Sequence, residues 1–513
     1  MKKLNTITYL LLLLMAISCK KDIVDQTEGL AALKPASTDI NAGDWKPILL
    51  SSSSEISVST PLSTSNPLYI AELNEIKDLQ QNMTEDEQKD INYWAAGGIL
   101  RWNEIMRDLV AKYNLPPYQN DDRTYPIPSS ANPFAYPLFP FSNPPYAARA
   151  YAYIAAAQYD ALVAAWHYKK VYARLAPYKN ASDIKAMVPV SNLPSYPSEA
   201  AVIAGVTGEM MKLLFPTEIA NIEQKVTHHE LSMMRAGAAT RSDIEAGEVL
   251  GRAVAKKFIL KARSDKAGAA VGIPTQWAKL EADCMADGRT PWISLETPKR
   301  PPMLPFFGDV VPIVMPRATL ITFLPPPPPP VGSAQLNTET AEVFAFSKKQ
   351  DRENIRIAHF WADGIGTSTP PGHWNAIAAD DFIKQNLSEV KWSRNIALLN
   401  LTLMDAGIIT WLTKFKYYSP RPSQINPAIK TFNGIPNFPS YISGHATFSG
   451  SAATILGYLT PSRAKAYKDM AIEASNSRLI SGIHFRSDCE AGLAVGEKVG
   501  AYFIEKGKLD GAQ

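Results

Sequence analysis

Three stretches within the C-terminal hundred residues carry groups that could grip and transform a tetrahedral oxyanion. The first is Lys414 with Arg421, seven positions apart, followed by Pro422. Two helical turns separate them, so the sequence places both on one face near the end of a helix that Pro420 and Pro422 stop. Arg can fork onto two oxygens of an anion, and Lys adds a point charge. The second is Ser443-Gly444-His445, just before the helical run ATFSGSAATIL. Gly444 lets backbone amides come close to a ligand, a helix start favours an anion, and the Ser443 hydroxyl adds a donor. His445 at the rim is suited to protonating a leaving group. The third is Ser477-Arg478, then His484 and Asp488. Arg478 and His484 would diverge on a continuous helix, so a break at Ser481-Gly482 is expected. Asp488 would then hold one ring nitrogen of His484 and leave the other free for attack.

The pattern K-x6-RP, then SGH, then SR-x5-H-x3-D resembles the signature shared by phosphatidic acid phosphatase type 2 enzymes, bacterial acid phosphatases and vanadium-dependent haloperoxidases. The match runs from Lys414 to Asp488, and Ile442 stands where the commonest form of the motif has proline. The aromatic-rich N-terminal part resembles the longer haloperoxidases more loosely. The resemblance implies that Lys414, Arg421, Ser443, Gly444 and Arg478 cradle phosphate or vanadate. By the same resemblance His484 bonds to phosphorus or vanadium, Asp488 orients it, and His445 is the acid and base.

One cage serves both chemistries, because vanadate mimics phosphate. The leading expectation is a phosphatase that hydrolyses phosphate monoesters through a phosphohistidine and needs no cofactor or metal. The alternative is a haloperoxidase holding vanadate on His484 and oxidising halide with hydrogen peroxide. Trp411 and Phe438 match positions where haloperoxidases place halide-pocket aromatics. The short interval from His445 to Ser477 resembles the phosphatases. The partners are accordingly a small phosphorylated substrate, or halide and peroxide.

The elements that must position these groups are helical. Apolar residues recur at helical spacing from about 85 onward, at 198–215, 217–236, 241–263, 339–359, 374–386, 389–416, 444–459, 461–480 and 488–506, and few runs alternate as strands do. The expectation is an all-α protein of two packed helical bundles with long Pro-rich loops and the active site in the C-terminal bundle. Proline, 40 residues in all, clusters at 116–145 and 290–340, with six in a row from Pro325 to Pro330 forming an extended polyproline spacer. The Trp-Asn pairs at 102–103 and 374–375 hint at internal duplication.

The N-terminus, MKKLNTITYLLLLLMAISC, has a basic start and an apolar run ending in a lipobox-like AISC, predicting a signal peptide over 1–18 and lipidation of Cys19. Residues 19–65 are expected to tether the body to a membrane, 66–300 to form the N-terminal helical domain, 301–340 a Pro-rich connector, and 341–513 the catalytic domain. No further window is expected to span a bilayer, and the address is an exported lipoprotein on the periplasmic face of a membrane or the outer-membrane surface. A net charge of +3 gives no footprint for nucleic acid. Cys284 and Cys489 are expected to be two inert, unpaired thiols. His228-His229-Glu230 lacks metal-site spacing and is expected on a solvated helix face. Asp380-Asp381 and Asp283/Asp287 are expected to be surface carboxylates. The stretch from His359 to Asn375 is expected to be a packed connection, with covering the active site as the alternative.

Overall fold

The computed structural model describes residues 29–115, 121, 143–296, 299–349 and 351–512. The signal segment, Cys19 and most of the loop 116–145 lie outside the described residues. Among these residues the regular structure is helical, and the extended pairing is limited to an isolated bridge between Leu175 and Pro194. Eight helices build two bundles. The first has α1 (Pro144–Tyr172), α2 (Glu199–Leu214), α3 (Ile219–Arg235) and α4 (Arg241–Arg263). The second has α5 (Glu389–Tyr417), α6 (Gly444–Leu459), α7 (Ala464–Ile480) and α8 (Arg486–Gly507).

The bundles are an internal repeat. Each helix of the second set starts 245 positions after its counterpart, as 389 follows 144 and 486 follows 241. The short helices Pro177–Asn180 and Pro422–Ile425 keep that interval. So do Ala173 (φ 47°) and Tyr418 (φ 51°), the left-handed residues that end α1 and α5. The sequences agree at the same register: PSYPS at 194–198 against PSYIS at 439–443, and RSD-x-EAG at 241–247 against 486–492. The two Trp-Asn pairs lie 272 apart, outside this register, yet they touch, with Asn103 Nδ2 donating to Asn375 Oδ1 at 2.9 Å.

Local chemistry explains the long helices. Asn143 caps α1 by accepting from Tyr146 N at 3.0 Å, and Pro144 and Pro145 occupy its first turn. Ser388 caps α5 by accepting from Lys391 N at 3.2 Å. The alanine-rich α1 and the apolar α5 pack together in one core that runs through both bundles. This corrects the expectation about spanning windows: Glu389–Ile425 is long and apolar enough to cross a membrane, but 94% of its apolar window is buried inside the protein. Its hydropathy is that of a core helix.

Glycines bring the other helices backbone to backbone. A Cβ on Gly247 of α4 would meet Ser198 O at 2.5 Å, and one on Gly492 of α8 would meet Ser443 O at 2.8 Å. Gly251 and Gly496, one turn on, face Val202 O and Thr447 O in the same way. The approach of α6 to α8 therefore fixes Ser443 beside Asp488, whose backbone oxygen accepts from Ser443 N at 3.0 Å.

Several elements depart from the sequence reading. The run 339–359 is two helices, Ala334–Lys348 and Arg352–Phe360, because Asp351 caps the second by accepting from Asn354 N at 2.8 Å. The stripe after 85 breaks at Gly97 (φ 127°), where the half-buried Glu389 carboxylate accepts from Gly98 N and Ile99 N. The helix read at 374–386 starts at Thr369, since Pro370 and Pro371 suit a first turn. Residues 48–50 strap onto α1, donating three backbone N–H bonds of 2.6, 2.7 and 2.9 Å to buried Asp160. The proline run is docked on the second bundle, Pro325 O and Pro326 O accepting from the hydroxyls of Tyr417 (2.8 Å) and Tyr441 (2.7 Å).

Because the crossings are equivalent, Gly251→Ala and Gly496→Ala should each destabilise by about 1–3 kcal/mol, a cost of overpacking. Chemical denaturation checks this; a midpoint unchanged by either substitution would contradict the close crossing.

Candidate active site

Lys414, in the last turn of α5, is fully buried and donates through Nζ to Pro439 O (2.9 Å) and Ser440 O (2.8 Å). Arg421 is not on the helix, as the sequence spacing had it. Helix α5 ends at Tyr417, and Arg421 is extended (φ −82°, ψ 158°) before Pro422. It still converges on the same pocket. Its Nε donates to Phe438 O at 3.0 Å, its Nη1 to Ile483 O at 2.7 Å, and Nη1 lies 3.0 Å from His484 Nε2. Its Nη2 is buried without a partner.

Helix α7 ends as expected near Ser481-Gly482, with Gly482 at φ 75° turning the chain. Arg478, in that last turn, donates to Ser477 Oγ at 2.8 Å and to Trp361 O. His484 sits two residues before α8, and its Nδ1 is 2.9 Å from Asp488 Oδ2. A guanidinium can only donate, so His484 Nε2 accepts from Arg421 and Nδ1 carries the proton toward Asp488. The Nε2 lone pair is thus held by Arg421, and an anion that draws that guanidinium away would free it. Phe485 N donates to the same Asp488 oxygen at 3.1 Å and Ser440 Oγ at 2.5 Å.

Ser443 caps α6, accepting from Ala446 N at 3.3 Å. A Cβ on Gly444 would meet Thr410 and Trp411 at no less than 3.9 Å, so protein packing does not require glycine there. The open side of that residue and the unpaired first-turn amides suit close approach of an anion. His445 Nε2 lies 3.5 Å from Asp363 Oδ2, and Asp363 Oδ1 lies 2.9 Å from His373 Nδ1. His373 stacks on Trp361, ring centroids 4.7 Å apart. The connection His359–Asn375 therefore covers one side of the pocket and supplies Asp363, which sequence reasoning missed. Phe438 faces both cations, 5.0 Å from Lys414 Nζ and 5.0 Å from Arg421 Cζ, and its ring lies 5.2 Å from Trp411. Trp411 Nε1 is engaged with Met303 O at 3.1 Å.

The electrostatics follow from burying like charges together. Burial, then Asp488 and Arg478, set Arg421 at about 9, the net effect being downward. Burial likewise brings Arg478 down to about 10 and pulls Lys414 well below the ordinary lysine range, with Arg421 adding to the latter. Burial and the surrounding cations keep His484 neutral, and burial pushes Asp488 up to about 6 against the hydrogen bonds it accepts. Burial and Arg478 bring His445 down to about 4. Burial works against the Asp363 carboxylate, but His373 and His445 together hold it below the usual carboxylate range.

The PAP2 superfamily profile matches residues 395–506. This region belongs to the PAP2 superfamily. Vanadium chloroperoxidase of Curvularia inaequalis is 28% identical over an aligned span of 161, covering 24% of this chain and 26% of that protein. The match thus spans about a quarter of that relative's length. Among solved structures, a bacterial vanadium-dependent iodoperoxidase has a TM-score of 0.56 at 21% identity, covering 71% of this chain and 91% of that one. A holo bacterial vanadium-dependent chloroperoxidase has a TM-score of 0.48 at 14% identity, covering 74% and 96%. The iodoperoxidase likeness shows the all-α fold. Residues 414, 421, 443, 444, 445, 478, 484 and 488 converge on one place, and the partnerless Arg421 Nη2 and the open side of Gly444 fit a tetrahedral oxyanion, phosphate or vanadate alike.

The motifs set aside in the sequence are mostly structural. His229 is buried, not solvated: it stacks on Trp94 at 4.1 Å and accepts from Trp102 Nε1 at 3.2 Å. Asp381 is a buried anchor for Arg463 and Tyr467 rather than a surface group, and Asp283 pairs with Lys279. Cys284 and Cys489 are free and buried. No cluster of metal-binding side chains exists among the described residues.

A bound anion restores full charge to Arg421 and Lys414, so binding should take up protons. Anion affinity is then greatest at low pH and falls as pH rises through about 9, where Arg421 titrates without anion, with the lowered Lys414 acting in the same direction. Calorimetric titration with phosphate in buffers of different ionisation enthalpy checks this, and pH-independent binding would refute it.

Proposed function

We propose that the second bundle is the catalytic unit of an oxyanion enzyme, and that its cage holds vanadate and supports oxidation of halide by hydrogen peroxide. The observation that carries the choice is the doubled bundle. The likeness to the bacterial iodoperoxidase covers 71% of this chain and 91% of that one, far more than the stretch 395–506 that the PAP2 superfamily matches. Lys414, Arg421 and Arg478 would neutralise vanadate oxygens, the α6 amides and Ser443 would donate to others, and His484 Nε2 would hold the metal. Bound vanadate would activate peroxide toward halide. His445, backed by Asp363, would move protons at the rim, and Trp411 with Phe438 would wall the pocket from water.

A specific observation favours a second reading, hydrolysis of phosphate monoesters: only Thr460 and the 3-10 turn Pro461–Arg463 join α6 to α7, as compact as the phosphatase pattern. In that case His484 Nε2 forms a bond to phosphorus as the ester P–O bond breaks. The leaving oxygen takes a proton from His445. Water then attacks phosphorus, giving that proton back to His445, and the N–P bond breaks. The apolar, cysteine-ending N-terminal sequence fits an exported, lipid-anchored protein in either case.

Parallel assays of the purified protein decide between them. Iodide or bromide oxidation after vanadate loading supports the first reading; release of phosphate from p-nitrophenyl phosphate, inhibited by vanadate, supports the second. His484→Ala should abolish whichever activity is found. Asp363→Asn should lower turnover about tenfold or more while leaving anion affinity within a few fold, since it acts on proton transfer by His445; unchanged turnover would remove Asp363 from the mechanism.

A further inference from the structure

Placing the two bundles in their common register separates what the fold needs from what the chemistry needs. Lys414, Ser440, Ser443 and Asp488 have the identical residues Lys169, Ser195, Ser198 and Asp243 as counterparts. Their contacts repeat as well. Lys169 Nζ donates to Pro194 O as Lys414 Nζ does to Pro439 O. Ser198 N donates to Asp243 O at 3.0 Å, the distance found between Ser443 N and Asp488 O. Thr240 N donates to Asp243 Oδ2 at 2.7 Å, as Phe485 N does to Asp488 Oδ2 at 3.1 Å. Ser195 Oγ donates to Asp243 Oδ1 at 3.1 Å, as Ser440 Oγ does to Asp488 Oδ2 at 2.5 Å.

The reactive groups are not repeated. Ala200, Met233 and Ala239 stand opposite His445, Arg478 and His484, and Ala176 and Glu199 stand opposite Arg421 and Gly444. In the first bundle Asp243 is instead taken by the buried guanidinium of Arg174, at 2.5 Å. A serine hydroxyl and one backbone amide thus grip an aspartate in both bundles, whatever that aspartate serves.

We propose that Ser440 is a positioning residue for His484, acting through Asp488. In the second bundle one carboxylate oxygen, Asp488 Oδ2, takes all three donors: Ser440 Oγ, Phe485 N and His484 Nδ1. Two of them fix the direction from which the third must approach, and so fix the plane of the imidazole. Ser440 is itself fully buried, and its backbone is tied by Ser440 N donating to Ser419 O at 3.0 Å. Its hydroxyl has no equally placed alternative acceptor: His484 Nδ1, at 3.5 Å, is already the donor to Asp488. Loss of the hydroxyl frees Asp488 to turn, and His484 with it.

The kinetic part of this inference rests on His484 being the reacting group; the orientation part does not. The test uses the full chain with 15N-labelled histidine. The hydrogen-bonded Nδ1 proton of His484 should give a downfield resonance, identified by its loss in His484→Ala. In Ser440→Ala that resonance should shift or vanish, and turnover of whichever substrate the wild type accepts should fall about tenfold, the usual size of a lost outer partner. Ser440→Thr should restore both. Ser195→Ala should lower thermal stability but leave resonance and turnover alone. Should Ser440→Ala fold poorly, Ser440→Cys keeps the volume and weakens the donor. A resonance and rate unchanged in Ser440→Cys or Ser440→Ala, with lowered stability only, would overturn the proposal. A wild type inactive in both assays would instead refute the functional reading, and the resonance would still decide the role of Ser440.

Discussion

The structure is organised around the burial of three cations in one pocket. Lys414, Arg421 and Arg478 are each at most 1% exposed, and mutual repulsion in a medium of low dielectric makes such an arrangement unfavourable unless other groups answer it. The answer is given largely by main-chain oxygens: Phe438, Pro439, Ser440 and Ile483 on one side, and Trp361 on the other. Only Asp488 and, further out, Asp363 add full negative charge. What remains is an excess of buried positive charge that a bound anion would complete. The neutral His484 follows from its own burial first, and the neighbouring cations add to the same effect.

Each of those oxygens must be delivered by a segment that is itself rigid, and the doubled helical frame does this. The glycine crossings of α8 on α6 place Ser443 and Asp488 within one backbone hydrogen bond. The left-handed stop at Tyr418 lets Arg421 turn back toward the end of its own helix. The first bundle retains the same joints around Lys169 and Asp243 without the reactive side chains, and Arg174 fills the gap they leave. The joints therefore belong to the bundle as a structure, and the proposed reactive groups stand on one copy of it alone.

Much of the second bundle was legible in the sequence because its signals are local. Helix ends at Ser388, Ser443 and Gly482 follow from capping chemistry, and the eight cage residues sit at short, fixed intervals. Asp363 carried no such signal: it comes from a loop 82 residues before His445, and only tertiary packing brings it close. Ser440 was passed over because a serine in a loop has no pattern of its own until its partner is known. The placement of Arg421 on a helix failed since periodicity cannot see a left-handed residue at Tyr418. The repeat, by contrast, is written in the sequence itself. The two Trp-Asn pairs, 272 apart, stand off the register, whereas PSYPS and PSYIS, and the paired RSD-x-EAG strings, carry the true interval.

The docked proline run has a mechanical meaning. Tyr417 ends the helix that carries Lys414 and Tyr441 lies two residues before Ser443, and both hydroxyls end on neighbouring proline carbonyls. Polyproline has no amide hydrogens to satisfy and little freedom to lose on being fixed. It can therefore act as a splint, joining the end of α5 to the loop before α6 at small entropic expense while asking nothing of the backbone it touches.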